Sequence, residues 1–121
     1  MRIGSLLVGS DQVETMKSWY RDAFAVTENE GGAFPFGDVQ LFIEEHSEVS
    51  GPNRDSARVI INLDVDDCRA VEARLLTQDV TWVRKVEQMP FGLIGTLADP
   101  DGNYVQIIQW GAGADAASHQ G

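Results

Sequence analysis

The sequence has one cysteine, two histidines, and nine lysines and arginines against nineteen aspartates and glutamates in 121 residues. A single cysteine, Cys68, excludes an internal disulfide and fits a reducing compartment. No apolar run approaches the roughly 20 residues that a membrane helix needs. The opening MRIGSLLVGS has too short an apolar stretch for a secretory signal, so the expected compartment is the cytoplasm. A formal net charge of −10 repels phosphate backbones and anionic membranes, which argues against nucleic-acid and membrane partners. The same acidity matches a cationic ligand or plain solubility. Hydrophobic content of 43% is ordinary, and the length suits one domain with a real core.

What is present is a pattern that occurs twice. An apolar strand, an Asp-started amphipathic helix and a set of short strands run from Ile3 to Glu44, and the same order returns from Arg58 to Trp110. Displacing the second half by 55 positions lays Asp66 on Asp11, Cys68 on Val13, Val71 on Met16 and Leu75 on Tyr20, so two helical stripes superpose. A repeat of half the chain is too long for a solenoid unit. Neither copy can cover its own sheet, so the two are expected to pair and leave a cleft of the kind that binds small molecules.

In the first copy, residues 3–8 predict a strand. Asp11 as N-cap with Glu14 three positions on predicts a helix start, and Val13, Met16, Tyr20 and Phe24 give its buried stripe. Gly31-Gly32 and Gly37-Asp38 cut the following stretch into strands over 26–30, 33–36 and 39–44. Residues 46–57 are polar and read as a linker. The second copy predicts a strand over 58–65, a helix opened by Asp66-Asp67 and running to about Leu76, and strands over 80–86 and 92–98. A tight turn at Asp99-Pro100-Asp101-Gly102 then leads into a last strand over 103–110. Residues 111–121 lack apolar periodicity and are expected to be a disordered tail. The reading is one α+β domain over 1–110, made of repeats at about 1–45 and 58–110.

The helix end Trp19-Tyr20-Arg21-Asp22-Ala23-Phe24 and the turn Asp99-Pro100-Asp101-Gly102-Asn103, taken with the repeat, resemble the vicinal oxygen chelate superfamily. That group contains glyoxalase I, extradiol dioxygenases, fosfomycin-resistance enzymes and bleomycin-resistance proteins. The resemblance covers Met1 to Trp110. It implies two βαβββ modules forming an open, curved, eight-stranded mixed sheet with a cleft, helices on the outer face, and commonly a homodimer. In metal-dependent members it also implies a divalent ion held by His, Glu or Gln from the first and last strand of each module. Those positions here are Ser5, Phe42 or its same-face neighbour Glu44, Ile60 and Gln106. Phe and Ile have no lone pairs to replace lost water, while Ser5 and Gln106 offer neutral oxygens, so no metal or other cofactor is expected. His46 in the linker and His119 in the tail read as solvated, and Cys68 as a small core residue.

Strand alternation assigns the cleft lining. With Ser5 and Gln106 lie Leu7, Gln40, Phe42, Glu44, Ile60, Asn62, Tyr104 and Ile108, while Leu6, Val8, Leu41, Ile43, Ile61, Leu63, Val105 and Ile107 face the helices. Trp110 shares the cleft side as rim or dimer contact, Trp19 follows the helix stripe, and the pattern does not place Trp82. Apolar walls with a few hydrogen-bonding groups suit an organic ligand; the plainer reading is a face covered by a dimer partner or by the segment around Met89-Pro90-Phe91. The expected function is binding of a small organic molecule, aromatic or cationic, without a metal. The alternatives are a metal-dependent lyase or dioxygenase of the glyoxalase I or extradiol type, a metal-free enzyme with Glu44 as base beside Tyr104 or Gln106, and an interaction module without a ligand.

Overall fold

Each copy of the repeat builds its own sheet beneath its own helix. A computed structural model describes residues 1–111. The chain divides into two units, residues 1–54 with Pro100–Gly102, and residues 55–99 with the chain from Asn103 onward. The first holds β1 (Ser5–Gly9), α1 (Val13–Phe24), β2 (Phe34–Phe36) and β3 (Val39–Glu44); the second holds β4 (Ile61–Asp64), α2 (Cys68–Leu75), β5 (Thr81–Met89), β6 (Gly92–Ala98) and β7 (Tyr104–Trp110). Residues 112–121, with His119 and the expected tail, lie outside the described residues. Among the described residues no helix is long and apolar enough to cross a membrane.

In the first unit β3 lies between β1, which it meets in parallel, and β2, which it meets antiparallel. Met16, Tyr20 and Ala23 are the buried stripe of α1, which packs on β3. Asp11 does not cap this helix. Gln12 holds the N-cap position with no side-chain cap bond, because the Asp11 carboxylate accepts instead from the Gly51 N–H at 2.7 Å. In the second unit Asp67 is a true cap, accepting from the Ala70 N–H at 3.0 Å. Gln12 and Asp67 are themselves 55 positions apart, so the repeat keeps register to the residue.

The strand expected over 26–30 does not form. Ala25 leaves α1 in the left-handed region at φ 52°, and Glu28 is drawn back to the helix by Lys17 Nζ at 3.2 Å and Arg21 Nη2 at 2.6 Å. Asn29 then closes a loop on Ala33, its Oδ1 accepting from the Ala33 N–H and its own N–H donating to the Ala33 carbonyl. The first unit is therefore βαββ and the second a full βαβββ, giving seven strands among the described residues where the resemblance implies eight. The Arg21 hydrogen bond, opposed by partial burial and assisted by Lys17, holds the Glu28 carboxyl below its ordinary range. With the folded value below the unfolded one, the pairing stabilises above about pH 4.5 and fades as pH falls through the folded value. Glu28→Gln is expected to cost under about 1 kcal/mol at neutral pH, with the difference from wild type shrinking in urea titrations taken progressively below about pH 4.5.

In the second unit the order is β4-β7-β6-β5, with β4 parallel to β7 and the other pairs antiparallel. Strand β4 starts three residues later than expected because Arg58 folds onto Asp55 through both backbone and side chain. Leu97, Val105 and Ile107 are fully buried on the side that α2 covers. Trp82 pairs with Leu97, and its ring edge passes over Gly95, 3.2 Å from where a Cβ would stand. This places Trp82 in the packing beneath the helix, with no acceptor for its indole N–H among the described residues.

Strand β5 departs from a regular ladder between Trp82 and Arg84 and again between Arg84 and Glu87. Helix α2 takes up the released backbone groups: Glu72 Oε2 accepts from the Val86 N–H at 3.1 Å, and Arg69 donates to the Val86 carbonyl at 3.2 Å. Cys68, with no exposed surface, opens α2 on the same buried side. Burial, followed by the nearby Glu72 charge, pushes its thiol pKa up. Its thiol is expected to resist an aromatic disulfide reagent in the native protein and to react once per chain in denaturant, so labelling tracks unfolding.

Candidate functional site

Directly paired residues in neighbouring strands share a face, so the register lays out the second sheet in rows. One row is polar: Asn62 beside Gln106, Gln106 beside Thr96, and Thr96 beside Arg84. Gln106 Nε2 donates to Thr96 Oγ1 at 3.1 Å, and Thr96 is only 5% exposed. The next row sets Ile108 and Ile94 between two carboxylates, Asp64 and Glu87. On the other side of the polar row Tyr104 pairs with Ala98, and half-buried Ile60 sits one position before β4.

Trp110 ends β7 opposite Gly92 and is 59% exposed. Its ring centroid lies 5.3 Å from that of Phe91, and its Nε1–H donates to Asp64 Oδ1 at 2.9 Å. The Gly111 N–H donates to the Phe91 carbonyl at 2.7 Å, closing the turn that carries Phe91 against the end of β7.

In the first unit, Ser5 pairs with Gln40, Leu7 with Phe42 and Gly9 with Glu44. Ser5 and Leu7 are exposed and Gln40 and Phe42 half-buried; Gln40 Oε1 accepts from Asn29 Nδ2 at 2.7 Å. The register separates Phe42 from Glu44. Leu7 and Asn62 are equivalent in the repeat, and their neighbours are Phe42 and Gln106, so Phe42 is the counterpart of Gln106. Glu44 is exposed and lines an open groove of about 550 Å³ with Asp11, Glu14, Glu45 and Lys17. Val13 and Ile43 add apolar surface to that lining. His46 is exposed, its Nδ1 accepting from the Glu48 N–H at 3.1 Å.

The donor set does not fit a divalent ion. Phe42 and Ile60 have no lone pairs, Ser5 is a neutral hydroxyl, and Gln106, whose Nε2 donates to Thr96, offers only the oxygen of a neutral amide. Among the described residues no three His, Cys, Asp or Glu side chains come together in a way that would hold a metal.

Thr96, Arg84 and Asp64 join the second face without having been assigned to it from sequence, while Phe91 belongs to the segment named there as its cover. Asp64 was within reach, being two positions from Asn62 on one strand, whereas Thr96 and Arg84 enter through antiparallel register that no local pattern encodes.

A sequence model described as the glyoxalase/bleomycin resistance protein/dioxygenase superfamily matches residues 2–107. Among solved structures, the chain is similar to a glyoxalase-related enzyme from Fulvimarina pelagi at 17% identity and TM-score 0.71, covering 90% of this chain and 88% of that one. It is similar to an antibiotic binding protein from a Streptomyces species at 23% identity and TM-score 0.67, covering 91% and 96%. Lactoylglutathione lyase from Agrobacterium tumefaciens aligns at 17% identity and TM-score 0.67, covering 89% and 92%. At these identities the likeness is one of fold. No curated protein sequence matches. The two helix-covered mixed sheets and the sequence match over nearly the whole chain agree, and the protein belongs to the glyoxalase/bleomycin resistance protein/dioxygenase superfamily.

Proposed function

We propose that this protein binds a small organic molecule, without a metal ion, on the β4-β7-β6 face of its second unit. The observation that carries the reading is the Gln106–Thr96 pair. Where the family resemblance puts an ion ligand, this chain has a neutral amide held by a buried hydroxyl, with an apolar row on one side and Tyr104 on the other. An amide and a hydroxyl fixed in this way read hydrogen-bonding groups on a ligand, and Ile94 and Ile108 exclude water from the contact. The antibiotic-binding neighbour supports a binding role on this fold, and the lyase neighbour keeps an enzymatic one in view.

The test is elemental analysis of untagged protein purified without chelator, alongside melting curves with nickel, zinc, manganese and iron(II) and with a set of neutral and charged planar compounds. Metal well below one equivalent, no metal-dependent shift, and a clear rise in melting temperature with at least one organic compound are expected. Gln106→Leu is expected to weaken that compound about fivefold to tenfold, because its polar group loses a fixed partner. Stoichiometric metal, or stabilisation by a metal that Gln106→Leu abolishes, would overturn the reading and return the lyase or dioxygenase chemistry.

A further inference from the structure

We infer that Trp110 and Asp64 form a stacking platform selective for planar cations, with Asp64 as the residue that sets the charge preference; this rests on the ligand-binding reading above. Trp110 is an exposed indole that is nevertheless held at two points. Its Nε1–H is tied to Asp64 at 2.9 Å, and its ring lies against Phe91, whose carbonyl is pinned by the Gly111 N–H. Fixing a large side chain costs conformational entropy, and here 59% of its surface stays in water. A ring ordered in advance lowers the cost of ordering when a ligand stacks on it.

The chemistry of the platform selects the charge. The face of an indole is electron-rich and attracts cations. A carboxylate hydrogen-bonded to the ring N–H adds negative charge at the ring edge, so a flat cation gains both contacts while a flat anion is repelled. Asp64 is exposed, and Arg84, the cation on the neighbouring row, is engaged by Glu87 at 2.5 Å. The net charge of −10 adds attraction at long range. Trp19 stacks within the aromatic cluster of the first unit and Trp82 is packed over Gly95, so a fluorescence change lost in a Trp110 variant reports this ring.

The experiment compares two dyes of the same ring system at pH 8, 9-aminoacridine as the cation and acridine as the neutral form, binding to the full chain. Wild type, Asp64→Asn and Trp110→Ala are titrated, and each is checked for an unchanged melting temperature. Wild type is expected to bind 9-aminoacridine about tenfold more tightly than acridine. Asp64→Asn retains an acceptor for the indole N–H and removes the charge; it is expected to lower 9-aminoacridine affinity about fivefold to tenfold and leave acridine within about twofold. Trp110→Ala is expected to weaken both dyes. Equal affinity of wild type for the two dyes, or an equal loss of both in Asp64→Asn, overturns the charge selectivity while ligand binding stands. Binding unchanged by Trp110→Ala places the site elsewhere and overturns the platform. If neither dye binds, the platform falls. If the compound set used to test the proposed function is also silent, the ligand-binding reading falls with it.

Discussion

Gly92→Ala is expected to lower stability by about 3 kcal/mol, through a clash that no side-chain movement relieves. Gly92 begins β6 at φ +145°, a conformation that L side chains rarely adopt. A Cβ there would stand 2.1 Å from the Gln109 carbonyl oxygen and 2.9 Å from the Gly111 nitrogen, both backbone atoms at the end of β7. The strands must part, so the Gly92–Trp110 pair and the Phe91–Gly111 hydrogen bond are lost together. Urea unfolding gives the energy, and greater acrylamide quenching of Trp110 reports the opened end. Gly4→Ala, with nothing within 4 Å of the new methyl, is the matched control and is expected to fall within about 0.5 kcal/mol of wild type. A Gly92→Ala loss no larger than the control's would show that the end of β7 shifts freely.

Tyr20→Ala is expected to cost about 3–5 kcal/mol, because it empties the centre of the first unit. Tyr20 has no exposed surface, and its ring lies 4.8 Å from Trp19, 6.1 Å from Phe24 and 6.4 Å from Phe34, centroid to centroid. These contacts join the far end of α1 to β2, a strand of only three residues with little else to hold it. The near-ultraviolet dichroism of the cluster should collapse along with the urea midpoint. Tyr20→Leu puts there the side chain of Leu75, the equivalent position in the second unit and likewise fully buried, and is expected to cost roughly half as much. A loss below about 1.5 kcal/mol in Tyr20→Ala would mean that the cluster repacks around the gap.

The helices and the repeat were legible because both rest on periodicity that reaches across the chain. The 55-residue offset lays Leu75 on Tyr20, and both are fully buried. Alternation sorted part of the two faces: Leu41, Ile43, Val105 and Ile107 are buried and Ser5, Leu7 and Asn62 exposed, but Ile108, on the cleft side, is buried as well. What failed was local competition. The pattern of residues 26–30 permits a strand, but Lys17 and Arg21 claim Glu28 first; Asp11 has a capping side chain, but Gly51 claims it from 40 residues away. The candidate face was half legible for the same reason. Alternation along one strand puts Gln106 and Trp110 on it, whereas Thr96 and Asp64 join them through hydrogen bonds from other strands.

The irregular course of β5 has a further consequence, for crowded conditions. This strand is the last in the order of its sheet, and such an edge offers backbone donors and acceptors on which a strand from another molecule can dock. Two register breaks within nine residues, together with exposed Arg84 and Lys85, leave an incoming strand no straight run of donors and acceptors to follow. Glu72 and Arg69 hold the irregularity in place from the helix above, by way of Val86. A helix that covers the core thus also guards the margin of the sheet, and loosening it would turn that margin into a template for aggregation.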